Sequence, residues 1–451
     1  MNDVYKGDLT NGGITTTMLR FAFPLMLGNM LQQCYNITDT LIVGRVLGAN
    51  ALASVGSSYA IVIFITSVFI GLCMGCSTVF SIQYGAHDIK ALRRSIFSSM
   101  MIIGGVTLLL NILSLLFLRD IVSILQTPAE LEQMTYDYLF IVFMGMFPVC
   151  VYNFYAFLLR SVGNSVVPLC FLLLSVVLNI GFDLLFLLVF DMGIEGAAWA
   201  TVIAQIMAAL GLYIYTKIHF PYLNLKNEDC VFDIKSIKRI TSYSLLTCVQ
   251  QSVMNFGILM VQGIVNSFGT AVMAAFAVAV KIDSFAYMPM QDFGNAFSIF
   301  VAQNYGAGRT DRISRSIKSS VVLTTVFGLI VSALVFVFAG NLMTLFVSSS
   351  EQEIISIGIE YLRIEGSFYI GIGYLFLLYG LYRAVAMPSM SVVLTIVSLG
   401  VRVALAYVLS SIPEIGYTGI WWSVPIGWAL ADIMGVLYYR YKSGSLLKIN
   451  K

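Results

Sequence analysis

The chain has 451 residues, 59% of them hydrophobic and 11% charged, with a mean hydropathy of +0.89. Soluble domains carry about 25% charged residues, so a water-soluble globule is excluded, and a net charge of +2 asks for no acidic partner and no nucleic acid. Seven cysteines (34, 73, 76, 150, 170, 230 and 248) sit mostly in apolar runs, as small buried hydrophobes do. Cys73 and Cys76 form a CxxC, but its GLCMGCS setting is apolar and offers no second ligand pair, so neither metal nor redox chemistry is expected there.

The first 17 residues are polar and lack a signal-peptide pattern, so an uncleaved amino terminus is expected. From there, apolar runs predict helices at 18–43, 51–82, 96–117, 134–159, 166–190, 195–217, 240–266, 272–303, 317–340, 354–382, 389–411 and 418–440. Each is long enough for the ~20 residues that cross a bilayer. Twelve spans make an all-α integral membrane protein. If both termini are cytoplasmic, twenty Lys and Arg lie inside, among them Lys6, the 90–94, 235–239 and 309–318 clusters, Lys448 and Lys451, while only Arg45 and Arg119 lie outside. That asymmetry sets the expected orientation.

Residues 83–99 (QYGAHDIKALRRSIFSS) match 304–320 (NYGAGRTDRISRSIKSS) at 8 of 17 positions with an offset of 221, where chance gives about one match. Leu47 and Gly48 pair with Phe268 and Gly269 at that offset, and an offset of 223 pairs Arg160 with Arg383, Gly196 with Gly419 and Trp199 with Trp422. The chain is therefore a duplicated six-helix unit. An even number of helices makes the repeat parallel, with two pseudo-symmetric bundles related by an axis along the membrane normal. Lobes at 1–218 and 240–451 are expected, joined by a polar cytoplasmic linker at 219–239.

Ionisable groups near the membrane centre cost about 3 kcal/mol or more and so point to function. In the first span Asn36 and Asp39 are three apart and share a face, with Gln32 and Gln33 one turn earlier. In the fifth, Asn179 and Asp183 are four apart, and Thr201 adds a hydroxyl in the sixth. The duplicate retains none of these: Asp39 maps to Met260, Asn36 to Gly257, Asn179 to Arg402, Asp183 to Ala406 and Thr201 to Val424. Residues that merely packed helices would have had equal reason to survive in both copies. Two carboxylates with amide and hydroxyl oxygens suit a hard cation such as Na+, or a carboxyl that carries a proton. Spacing does not choose between them.

The segment from Pro24 through NITDTLIVGRVLGANALASVG (36–56), the QYGA and NYGA sequences, and LNIGFD (178–183) together resemble the multidrug and toxic compound extrusion (MATE) family. The likeness covers essentially the whole chain and is greatest to the DinF-like prokaryotic branch. It implies two six-helix lobes that export organic cations or other amphipathic compounds across the plasma membrane in exchange for inward Na+ or H+, with no other cofactor. By matching position it implies a cation-coupling site of Asp39, Asn179, Asp183 and Thr201 with Tyr138 beside it. It also makes Asn153 a displaced match and Pro24 the bend of the first span. The acidic pair that another branch carries in its second lobe has no clear match, since Asn255 stands in seventh-span territory and Glu365 is a loose candidate.

Lys281, Asp283, Glu365 and Arg402 are charges within second-half spans. Lys281 and Asp283, two apart, cannot face one another on a helix, so each is expected to find a buried partner elsewhere. Gln250, Gln251, Met254, Asn255, Met260, Gln262, Tyr287, Met288 and Gln291, with Asp283 and Asn153, are candidates for a substrate chamber, because thioether and aromatic surfaces adapt to varied apolar ligands. Pro289 and Pro388 are expected to kink their helices. His87 and His219 form no HExxH, and no nucleophile, base and orienter set is present, so an enzyme is not expected. The function expected is that of a monomeric secondary antiporter for drug-like compounds. A lipid or lipid-linked oligosaccharide flippase of the same superfamily is the alternative, though it would carry more cavity arginines than Arg363 and Arg402.

Overall fold

The computed structural model describes residues 7–124 and 127–446, which form helices and turns with no strand among them. Lys6, Lys448 and Lys451 lie outside the described residues. In the first half the helices are α1 (Ile14–Leu47), α2 (Ala49–Gly85), α3 (Ile89–Leu116), α4 (Leu118–Ile124), α5 (Ala129–Met144), α6 (Met146–Ser161), α7 (Val166–Leu184) and α8 (Gly193–His219). In the second they are α9 (Ile234–Asn266), α10 (Thr270–Gly306), α11 (Thr310–Thr344), α12 (Gln352–Gly366), α13 (Tyr369–Ala384), α14 (Pro388–Ser410) and α15 (Thr418–Leu446).

Among the described residues nine helices are long and apolar enough to cross a membrane, and the bent pairs α5–α6 (43°) and α12–α13 (51°) raise the number to eleven. The twelfth expected span is α1, one helix of 34 residues, or about 51 Å at ~1.5 Å per residue. Its amide and carboxyl side chains keep its apolarity down. The two bends correct the expectation of single helices at 134–159 and 354–382. The first falls at Gly145, where a Cβ would stand 2.5 Å from Val202 on α8, so the chain turns where it must approach most closely. Pro388 also departs from expectation: it opens α14, where its missing N–H costs nothing. α10 runs unbroken through Pro289.

The duplication is visible in the backbone. Left-handed φ angles recur at Gly48 (85°) and Gly269 (94°), His87 (57°) and Gly308 (72°), Gly163 (85°) and Ala386 (64°), and Gly193 (61°) and Gly416 (56°). The spacings are the 221 and 223 of the sequence repeat. His87 and Ala386 hold a conformation that costs an L-residue about 1 to 2 kcal/mol, so the turn geometry has outlived the glycine.

Packing divides the chain into two compact units, one of residues 7–8 and 27–248, the other of 9–26 and 249–446. The sequence halves drawn at 218 and 240 do not follow this division, because α1 and α9 each change unit part-way along. In unit one the first half of α9 lies against α2, admitted by Gly71 and Gly75. A Cβ on these glycines would stand 2.6 Å from Cys248 Cα and 2.5 Å from Ser244 Cα. GLCMGC is thus a small-xxx-small helix contact, with Cys76 Sγ 3.0 Å from Ser244 Oγ. The expected linker is folded onto the same unit: Leu223 is buried, and buried Asp229 meets Arg93 Nε at 2.7 Å and accepts the Lys226 N–H at 3.1 Å.

Unit two holds the start of α1 through Arg312 of α11. Its guanidinium donates to the carbonyls of Leu9, Asn11 and Gly12 and to Asn304 Oδ1, at 2.8 to 3.2 Å. Gln303 Oε1 accepts the Leu9 N–H at 2.9 Å. The first repeat has Ala91 at the Arg312 position, so this clasp belongs to the second copy alone.

Candidate coupling site

In unit one α8 packs against α5 and α7, which gathers Thr201, Tyr138, Asn179 and Asp183. The second half of α1 adds Asp39 and Tyr35. Asn179 and Asp183 are 2% and 0% exposed and stand one turn apart on α7. The next five residues, Leu185–Val189, form a π turn, an irregularity frequent at functional sites. The rings of Phe182, Phe186 and Phe190 stack along it with centroids 5.6 and 6.1 Å apart.

The carboxyls of Asp39 and Asp183 lie within hydrogen-bonding reach of each other. With the Asn179 amide turned so that its NH2 meets acceptors, it donates to Asp183 Oδ2 at 3.0 Å and to the Tyr35 hydroxyl oxygen at 2.8 Å. Its oxygen accepts from Thr201 N–H at 3.0 Å and from Thr201 Oγ1 at 3.2 Å. Tyr35 also bonds Thr201, and Tyr138 stands close enough to feel the charge of both carboxyls. Asp39 Oδ1 and Asp183 Oδ1 have no hydrogen-bond partner. Two bare carboxylates this close repel, and neither has a hydrogen to give. A single proton held between them removes both difficulties. Among the described residues no group of three or more His, Cys, Asp and Glu is placed to hold a metal ion.

Asn36 stands apart from this cluster, pairing along its own helix with Gln32 at 3.3 Å and Gln33 at 3.2 Å. Asn153 donates to the Val149 carbonyl one turn back on α6. Pro24 lies inside an unbroken α1, two residues before the helix passes from unit two to unit one. Tyr35 escaped the sequence reasoning, although its i, i+4 spacing from Asp39 was the available signal.

Unit two has its own buried group, in which Asp283 of α10, Glu365 of α12 and Arg402 of α14 act on one another with Tyr361 and Tyr369 between them. Asp283 Oδ1, Glu365 Oε1 and Arg402 Nε have no hydrogen-bond partner. Tyr361 is Tyr138 carried forward 223 positions, and Arg402 is Asn179 carried forward the same distance. The two clusters therefore share two positions and draw their acids from different helices. Asp432 of α15 is a further interior acid that the sequence did not single out: its Oδ1 is also unpartnered, beside Trp428 and Gly371.

Lys281, expected to be buried and paired, is exposed, because two helical steps of ~100° carry it to the far side of α10 from buried Asp283. Arg363 is exposed too, over the Phe336 ring at 5.3 Å. Asp283→Asn is accordingly expected to lower the melting temperature, whereas Lys281→Gln leaves it unchanged. Equal losses would return Lys281 to the packed interior. The other chamber candidates are strung along α9 (Gln250, Gln251, Met254, Asn255, Met260, Gln262) and α10 (Tyr287, Met288, Gln291).

Two copies of a helical unit, most of their helices able to span a bilayer, with buried polar clusters inside each, make a multi-pass membrane protein. The MatE family model matches residues 24–185 and again 247–408, once in each copy. The chain belongs to this family. It is similar to the "Probable multidrug resistance protein YpnP" of Bacillus subtilis, 29% identical over 450 residues and 98% of each chain. It is also similar to the "Multidrug export protein MepA" of Staphylococcus aureus, 23% identical over 435 residues, 93% of this chain and 92% of that one. The crystal structure of MATE in complex with MaL6 shares the fold with a TM-score of 0.92 at 22% identity, covering 100% of both chains.

Proposed function

We propose that the chain is a secondary antiporter of the plasma membrane, monomeric and with both termini in the cytoplasm, which exports organic cations or other amphipathic drug-like compounds. The relatives' names as multidrug resistance and multidrug export proteins support this substrate class. The observation that carries the coupling is the Asp39–Asp183 pair, two acids in hydrogen-bonding reach, each with an oxygen left unpartnered. The pair, with the Asn179 amide and the Thr201 hydroxyl beside it, suits either H+ or Na+. H+ is the ion put to the test, because a proton shared by the two carboxyls gives them the hydrogen that neither carboxylate has. Placement of the pair in the first repeat supports the DinF-like branch. The chain performs no chemistry on its cargo.

An ion gradient drives export only if proton and drug favour different conformations of the carrier. Loading the pair removes its negative charge beside Tyr35, Tyr138 and Asn179, so the packing of α1 against α7 and α8 responds to the proton. Pro24 gives α1 a place to bend, because its ring removes one helix hydrogen bond. Within unit two, the residues proposed to face the drug are Gln250, Gln251, Asn255, Met260, Asp283 and Met288. A flippase for lipid-linked sugars has less support, since it would carry more cavity arginines than the two candidates here, Arg363 and Arg402.

Proteoliposomes with proton and sodium gradients imposed separately test the proposal. A proton gradient alone is expected to drive efflux. Efflux driven by sodium alone would assign Na+ to the pair, and efflux under neither gradient would remove the antiport. For topology, single cysteines placed in 84–95 and 304–316 are expected to react only with reagent on the cytoplasmic side, where their basic clusters belong. Labelling of either from outside alone would overturn the twelve-span arrangement.

A further inference from the structure

Unit one contains a cavity of about 220 Å3 that takes no part in the coupling site. It lies where the last turns of α6 and α8 meet α3, roofed by the segment that follows α8. Ile96 of α3, Leu158 of α6 and Leu223 of the roof make its apolar walls. The volume is below the ~300 to 1,000 Å3 of drug-sized pockets, so a head group or a short chain fits and a whole drug does not.

The polar part of the lining offers donors and, among the described residues, no negative charge. Lys217 of α8 is its only charged residue, and no carboxylate lines it. The Lys217 ammonium is held over the Tyr213 ring, 5.2 Å from its centroid. The Thr216 hydroxyl is spent on the Leu212 carbonyl and the Asn224 amide on the Lys217 carbonyl. Tyr155, 8% exposed and packed edge to face on Tyr213, belongs to the same lining. A phenol hydroxyl can donate, and here it shares a cavity with an ammonium that has no carboxylate beside it among the described lining residues.

We propose that this cavity binds an anionic amphiphile. The phosphate or carboxylate oxygens accept from Lys217 Nζ and the Tyr155 hydroxyl, and the chain lies against Ile96, Leu158 and Leu223. Basic pockets between membrane helices take lipid head groups on the same principle. A membrane phospholipid and a free alkyl carboxylate share this chemistry. Either would tie α3, α6 and α8 to the roof segment, which is otherwise fastened by Arg93 on Asp229 and by Asn224 on Lys217.

The full chain in neutral maltoside micelles, titrated with phosphatidylglycerol, phosphatidylcholine and dodecanoate in turn, tests this by thermal shift. Phosphatidylglycerol or dodecanoate is expected to raise the melting temperature where phosphatidylcholine does not. Lys217→Gln is expected to weaken the response about ten-fold and Tyr155→Phe about three-fold, while Lys217→Glu abolishes it. Lys217 is exposed, so its variants keep the fold. A response to phosphatidylglycerol alone makes the ligand a membrane lipid, and a response to dodecanoate alone makes it a free amphiphile. Equal affinities of wild type and Lys217→Glu, or an equal shift with phosphatidylcholine, would overturn the proposal.

Discussion

Asp39→Asn and Asp183→Asn are each expected to abolish gradient-driven efflux, a fall on the order of 100-fold or more, in protein that still folds and inserts. An amide matches the carboxyl in shape and hydrogen-bonding capacity but cannot take up or release the coupling proton. The differential affinity that links ion to drug is then lost. Asn179→Ala should be weaker, since it removes only the amide between Asp183, Tyr35 and Thr201, and Thr201→Ala weaker still. Tyr35→Phe should resemble Asn179→Ala, because it breaks the same chain of bonds. Efflux from proteoliposomes under a fixed proton gradient measures the effect, with the melting temperature as the control for folding. Full efflux by a folded double Asp39→Asn, Asp183→Asn variant would move the coupling to Asp283 or Glu365.

Asp229→Ala is expected to open the segment between α8 and α9. The Asp229 carboxylate is fully buried and holds both Arg93 and the Lys226 N–H. Breaking a buried pair by removing one partner costs about 3 to 5 kcal/mol. Arg93 is 13% exposed and regains some water, which places this loss near the lower figure, or on the order of 100-fold in local opening. Limited trypsin digestion at Lys226 and hydrogen exchange over 219–233 should both accelerate, while Asp229→Asn, which can still accept the Lys226 N–H, loses less. Unchanged cleavage in Asp229→Ala would mean that the apolar contacts of Leu223 alone hold the segment down.

Much of this architecture was legible in the sequence, because apolar length and a repeated offset are properties of the chain itself. The kinks at Gly145 and near Phe368 were not: hydropathy counts residues in a span and is blind to a bend inside it. The polar stretch after α8 looked like a linker for a similar reason, since its charges are conspicuous in sequence while the burial of Asp229 and Leu223 depends on Arg93 and α3. Asp39, Asn179, Asp183 and Thr201 could be singled out as costly residues absent from the duplicate. Tyr35 shares a helix face with Asp39, four residues on, but a tyrosine in a membrane helix is cheap and that spacing alone does not show that its hydroxyl has a partner. Lys281 failed in the opposite direction. Depth along a helix is written in the sequence, but which side of the helix meets the neighbours is settled by packing, and α10 turns Asp283 inward and Lys281 out.

The exchange of α1 between the units sets a timetable for biosynthesis. Leu9 is held by Gln303, 294 positions later in the chain. At ~5 to 20 residues per second, the ribosome needs roughly 15 to 60 s to make that partner after Leu9 itself. The first helix to enter the membrane is therefore left with its leading half unclasped until α10 and α11 emerge. Its trailing half, with Asp39, can pack much earlier on α7 and α8. A nascent chain halted after α9 should accordingly have a formed carboxyl pair and a loose amino-terminal strap.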